Sequence, residues 1–213
     1  MGLFDFLGGG TPAEKAARLK AKVTQKYGDA ATRQKAIEQL GELRSPEAVA
    51  VLMQRFTFGV EPQTTDADEK ETVFRLICDL EREAVTPVKE FLTRSDTASS
   101  WAFKLLEALV PEEEAVAIAT TELERLGVEY TRNPEKKQVL LTALQGKADP
   151  HLGPAALPFL HDMSDDVKMA AIKTLAALKY EPAREPLLQL LVTEDTARRV
   201  QTAVVAALVE TGF

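Results

Sequence analysis

The chain has 213 residues, 45% of them hydrophobic and 28% charged, with a formal net charge of −7. That length supports a sizeable core, and the acidic balance argues against a nucleic-acid partner, whose phosphates need clustered lysine and arginine. The single cysteine, Cys78, excludes an internal disulfide and fits a reducing, cytoplasmic compartment. No stretch approaches the ~20 apolar residues of a membrane span, and the start lacks the segments of a secretory signal.

Residues 1–12, MGLFDFLGGGTP, read as a flexible tail in which Leu3, Phe4, Phe6 and Leu7 are apolar and three glycines follow. Phe6 stands where a myristoylation pattern expects serine or threonine. Residues 13–28 read as a basic helix with Ala16, Leu19, Val23 and Tyr27 on one stripe and Lys15, Arg18, Lys20, Lys22 and Lys26 around it. The expected role is to cap a repeat array. The alternative is to lie on an anionic membrane surface, the sole route to a membrane being residues 1–28. Residues 1–28 carry +3 and the remainder −10.

Residues 29–213 read as repeated pairs of short helices. The clearest pair is 165–191. Val167, Ala171, Leu175 and Leu178 fall at helical spacing after Asp165 and Asp166, which stand where an N-cap belongs. A second helix follows with Ala183, Leu187, Leu188, Leu190 and Leu191. Pro182 and Pro186 belong to its opening turn, since a proline deeper in a helix costs ~3 kcal/mol. Helices this short are unstable alone, and a hairpin of two leaves one face open, so similar hairpins must stack. Weaker copies span 29–56, 66–92, 96–126 and 133–160, and a half copy runs over 195–210. The leucines closing the first helices are Leu43, Leu80, Leu109, Leu144, Leu178 and Leu208, 29 to 37 residues apart. The fourth copy departs from the pattern, with Lys137 and Gln138 where the others are apolar. The reading is an all-α fold, an α-solenoid of about five hairpins plus a terminal half repeat. In the half copy, Val204, Val205, Ala207 and Leu208 are expected to form an uncovered strip that invites self-association or another protein.

Two segments carry a family resemblance. Asp165-Asp-Val-Lys168, Ala171-Ile172, Leu175, Leu178, Pro182-Ala183 and Pro186-Leu-Leu-Gln-Leu-Leu191 resemble a HEAT repeat of the HEAT-like, PBS-lyase type. So do Leu40-Gly41-Glu42-Leu43, Pro46-Glu-Ala-Val49 and Leu52. The resemblance implies a scaffold that binds another protein. It also implies a ladder of ion pairs between repeats, with Arg33, Lys70, Lys168 and Arg198 at the basic position. Ser99 and Pro134 occupy that position in copies three and four, so the ladder is expected to break mid-chain. Polar residues facing outward on the second helices, Gln54, Glu90, His161 and Gln189, are the candidate partner-binding positions on a concave face.

Chemistry has little to stand on. His151 and His161 lack metal-ligand spacing, and no Gly-x-Ser-x-Gly elbow or phosphate-binding loop exists. Cys78 among Leu76, Ile77 and Leu80 reads as a buried structural thiol. Trp101 is the sole tryptophan and reads as an interhelical contact. No catalytic residue, cofactor or metal is expected. The competing function is a HEAT-like enzyme of the lyase or DNA glycosylase class, or a regulatory subunit of one.

Overall fold

A computed structural model describes residues 10–131 and 133–213 of the chain. The apolar part of the expected tail, with Leu3, Phe4, Phe6 and Leu7, lies outside the described residues. Twelve α-helices occur among the described residues, without a strand: α1 Pro12–Val23, α2 Ala30–Leu43, α3 Pro46–Leu52, α4 Gln63–Cys78, α5 Val85–Arg94, α6 Ser99–Leu109, α7 Glu112–Leu126, α8 Glu135–Ala143, α9 Leu152–Ala156, α10 Asp165–Ala177, α11 Arg184–Val192 and α12 Arg198–Thr211. Helices α2 to α11 form five consecutive pairs and α12 is a first helix without a second. The fold is the all-α solenoid class.

Local chemistry sets the helix starts. Thr11 and Glu14 form a reciprocal capping box at α1, each accepting from the other's backbone N–H. Asp29 accepts from Thr32 N at 2.8 Å, which holds its carboxyl below the usual carboxylate range. Ser45 accepts from Ala48 N, with Pro46 at the first helical position of α3. Two predicted starts move. Ser164, not Asp165, is the N-cap position of α10, so Asp165 and Asp166 fall in the first turn. Helix α4 begins at Gln63, which places Asp66 inside it. Pro186 lies in the first turn of α11, as its missing N–H requires, and Pro182 in a 3-10 turn before it.

The described chain divides into two compact units: residues up to Arg94 with Lys104–Val110, and Ser95–Phe103 with Pro111–Phe213. In the first, α2 packs on α4, α3 packs on α5, and α1 lies against both α2 and α3. In the second, α8, α10 and α12 follow one another, α7 contacts α8 and α9, and α11 contacts α12. First helices thus lie against first helices, as stacking hairpins demands. The cores are apolar: Ile37, Leu40, Val49, Val73, Ile77 and Val88 are buried in the first, and Leu123, Leu140, Val167, Leu175 and Leu187 in the second. Each such side chain contributes ~1.5–3 kcal/mol relative to exposure.

Of the six closing leucines, Leu80 and Leu144 are buried and Leu43, Leu109, Leu178 and Leu208 half-buried. They sit at helix ends, where the core thins. The stripe predicted for the basic helix is shorter than expected: Ala16 and Val23 are buried, but α1 ends at Val23 and Tyr27 is 93% exposed. Cys78 is half-buried rather than buried.

Gly153 marks a close approach within the second unit. A β-carbon there would lie 2.5 Å from the Tyr180 ring, and a ring cannot bend aside. Gly153→Ala is expected to lower stability by ~1–3 kcal/mol through overpacking. Gly59→Ala, where nothing lies within 4 Å, is the control, expected within ~0.5 kcal/mol of wild type. Urea unfolding of both variants checks this, and equal midpoints would overturn it.

Candidate functional site

Charged side chains buried between helices are the main feature that hydropathy patterning does not forecast. In the first unit Arg33 of α2 donates from Nε and Nη2 to the Glu69 carboxylate of α4, at 2.8 Å to each oxygen. Its Nη1 donates to Gln25 O and Gly28 O, which ties down the turn between α1 and α2. Arg55, fully buried, donates from Nε to Glu69 Oε2 at 2.7 Å, the oxygen that Arg33 Nε also reaches, and from Nη2 to Asp66 at 2.7 Å. Its Nη1 reaches Phe58 O, and its guanidinium lies 4.7 Å from the Phe58 ring centre. Lys70 completes the chain at 2.7 Å from Asp66, which also accepts from Val60 N. Burial opposes ionisation of Asp66, but Lys70 and Arg55 outweigh it and hold the carboxyl below the usual range.

The second unit repeats the device with lysine. Lys137 of α8 donates to Asp162 at 2.9 Å and to Glu129 O at 2.7 Å, and its ammonium sits 5.8 Å from the Phe159 ring centre. Asp162 in turn accepts from Ser164 N at the start of α10. Lys136 pairs with Glu122 of α7 at 2.7 Å, and Arg125 joins the same carboxylate at 2.6 Å. Burial pushes Glu122 upward, but these two cations reverse that and leave it depressed, while Glu122 raises Arg125. At the last pair Arg199 reaches Asp165 at 3.3 Å and Asp166 at 2.8 Å.

The expected ladder is therefore present in altered form. Arg33 holds a position in it, but its partner Glu69 lies inside the next first helix. Lys70 and Lys168 pair within their own helices, with Asp66 and Asp165. Arg199, not Arg198, reaches back to the preceding pair. In copy four the predicted break is filled, because Lys137, three positions past Pro134, supplies the cation; in copy three Ser99 still occupies the slot. The anomaly of lysine in an apolar slot was the available signal, and its carboxylate partner resolves it.

Open cavities lie beside these elements. One of about 670 Å³ in the first unit is lined by Lys26, Tyr27, Arg33, Glu61, Gln63 and Asp66, among others. One of about 240 Å³ in the second unit is lined by His161, Lys168, Gln189, Thr193, Asp195 and Thr196, with Leu160 and Leu190. The structure thus brings His161 and Gln189, two of the four predicted positions, to one cavity, both exposed. Gln54 and Glu90 belong to the first unit: Gln54 is half-buried in the 3-10 turn after α3, and Glu90 is exposed on α5, 3.4 Å from Arg94. A third cavity, about 220 Å³, includes Tyr130, Asp162 and Met163. Another, about 250 Å³, includes Thr120, Glu124, Asp149 and His151. No group of three or more metal-ligating side chains occurs among the described residues. Burial raises the Cys78 thiol, and Asp79 and Glu71 add to that, so the thiolate is scarce near neutral pH.

Sequence reasoning missed the exposed apolar surface of α11, while it expected one on α12. Leu187 and Leu190 are buried, but Leu188 is exposed and Val192 is 80% exposed. Five apolar residues among 187–192 exceed one helix stripe, so some must face out. On α12, Val204 and Ala207 are covered and Leu208 half-covered, while Val205 and Val209 stand in solvent. The expected uncovered strip is therefore half occupied by α10 and α11 packing.

No helix among the described residues is long and apolar enough to cross a membrane. No curated protein sequence matches the chain. Among solved structures, a crystal structure of an engineered protein aligns over 92% of this chain and 96% of that one, at 17% identity and a TM-score of 0.43. Residues 153–212 match the family model for HEAT repeats, and residues 32–57 match that for the PBS lyase HEAT-like repeat. HEAT repeats serve in general as surfaces for protein–protein interaction. Residues 32–57 and 153–212, both built of paired helices, thus carry HEAT-type repeats.

Proposed function

We propose that the protein is a non-catalytic cytoplasmic scaffold whose contact with another protein is centred on α11. The observation that carries this is an apolar pair in water beside a polar cavity. Leu188 and Val192, four residues apart, share one helix face, and Gln189 between them lines the cavity that also holds His161. Exposed aliphatic side chains around a shallow polar hollow suit a partner's anchoring side chain, with His161, Lys168 and Asp195 at its rim to set register. Open cavities over a stacked-helix surface suit a broad contact better than enclosure of a small substrate. Gln54 and Glu90 are further contact positions under the same reading.

A photo-crosslinking residue placed at Gln189 tests it. The expected result is a discrete adduct with another protein that disappears in the Leu188→Glu/Val192→Glu variant, with helical content unchanged. Absence of an adduct, or one that survives the double substitution, would sink the proposal.

A further inference from the structure

The hollow of about 250 Å³ beside α7 has a floor that the fold leaves unsatisfied. Ala117, Thr120, Thr121 and Glu124 stand three and four apart, so one face of α7 supplies one wall. Asp149 and His151, in the loop that leads into α9, supply the other. Thr120 is 2% exposed, and its hydroxyl has no hydrogen-bond partner among the described residues. Other helical threonines avoid that state: Thr121, Thr174, Thr202 and Thr211 each donate to the carbonyl four residues back. Thr120 makes no such bond. An unpaired buried hydroxyl is unfavourable, so its oxygen stands ready for whatever reaches the floor of the hollow.

The remaining lining selects the occupant. Asp149 Oδ1 accepts from His151 N at 2.7 Å. Its other oxygen and the exposed Glu124 carboxylate meet no cation of the described residues. Two free carboxylates and a hydroxyl oxygen suit a cation that brings its own N–H donors. A metal ion would need a fuller ligand set, and no group of three ligating side chains occurs among the described residues. A guanidinium is best matched by both oxygens of one carboxylate. Here the carboxylates stand on separate elements and Asp149 has one oxygen engaged, which suits single bonds to the compact ammonium of lysine. We infer that this hollow receives the ammonium end of a lysine side chain from another polypeptide, with Thr120 Oγ1, Asp149 Oδ2 and Glu124 as its acceptors. Ala117, Thr121 and His151 are exposed at its mouth, so a side chain enters while its backbone stays outside. The hollow shares no residue with the cavity beside α11 and is a contact independent of it.

The test is a nuclear magnetic resonance titration of the isotope-labelled full chain with n-butylammonium chloride, set against n-butanol at equal ionic strength. Saturable amide shifts are expected at Thr120, Thr121, Glu124 and His151 with the amine and not with the alcohol. The blocked peptide acetyl-Gly-Lys-Gly-amide is expected to bind at least as tightly as the amine, and its arginine counterpart more weakly. Thr120→Val and Glu124→Gln are each expected to weaken binding about tenfold or more, the worth of a hydrogen bond to a charged group. The urea midpoint of Thr120→Val is expected not to fall, because no native bond is lost. Equal shifts with n-butanol, shifts that do not saturate, or wild-type affinity in Thr120→Val would overturn the inference. So would an arginine peptide that binds as tightly, a lysine peptide excluded where the amine binds, or a lowered midpoint in Thr120→Val, which would mean that the hydroxyl already has a partner. The Leu188→Glu/Val192→Glu variant should bind the amine as wild type does, so failure here is distinguishable from failure of the α11 contact.

Discussion

Replacing Glu69 by alanine is expected to cost ~3–5 kcal/mol, a large part of a domain's ~5–15 kcal/mol of stability. Among the described residues Glu69 is the one carboxylate that both Arg33 and Arg55 touch, and all three side chains are at most 3% exposed. Without it two guanidiniums remain in a site with almost no water. Arg33 cannot simply swing out, because its Nη1 also holds Gln25 O and Gly28 O. Asp66 still pairs with Arg55, so that cation is partly compensated; Arg33 is not, and it dominates the cost. Glu69→Gln keeps the shape but not the charge, and is expected to recover only part of the loss. By contrast Glu90→Ala, which breaks the exposed pair with Arg94, should change stability by less than ~1 kcal/mol. Urea unfolding followed by circular dichroism compares the three. A Glu69→Ala cost as small as that of Glu90→Ala would refute the claim that the network secures α2 against α4.

Asp162→Ala is expected to be comparably damaging, at ~3–5 kcal/mol, because Lys137 is 1% exposed and keeps only Glu129 O and the Phe159 ring. The same change removes the acceptor for Ser164 N at the start of α10. Lys137→Met should cost less, ~1–3 kcal/mol, since it leaves an anion that still accepts from Ser164 N rather than a stranded cation. The decisive measurement is the double variant. If the pair is one unit, Lys137→Met/Asp162→Ala will be more stable than the sum of the single losses predicts, by ~0.5–3 kcal/mol. Simple additivity would mean that the two residues act separately, Asp162 through the helix start alone.

These two sites also mark the boundary of what patterning reveals. The hairpins were legible because a period of 3.6 writes buried positions directly into the order of residues, and caps and prolines punctuate them. A lone hydroxyl is easily accommodated in such a stripe: Thr174 of α10 is buried, its hydroxyl donating to Leu141 O and Ala170 O. Charges obey no such period. Lys137 in an apolar slot is anomalous until Asp162, 25 residues on, is known to meet it. Arg33 and Glu69 are likewise 36 residues apart.

The candidate contact surface divides in the same way. Gln189 and His161 could be picked as outward polar positions, since helix phase alone sets that. That they share a cavity while Gln54 and Glu90 do not depends on how α10, α11 and the Leu157–His161 turn close on one another. The run Leu187 to Val192 could not be parsed from phase, because its apolar residues outnumber one stripe; only the packing of α11 on α12 decides that Leu187 and Leu190 go in while Leu188 and Val192 stay out. Local periodicity thus determined the helices and their pairing, because burial of a short helix is a one-dimensional constraint. Which charges meet, and which leucines remain in water, are settled by distances between residues far apart in the chain, and those exist only once the helices have stacked.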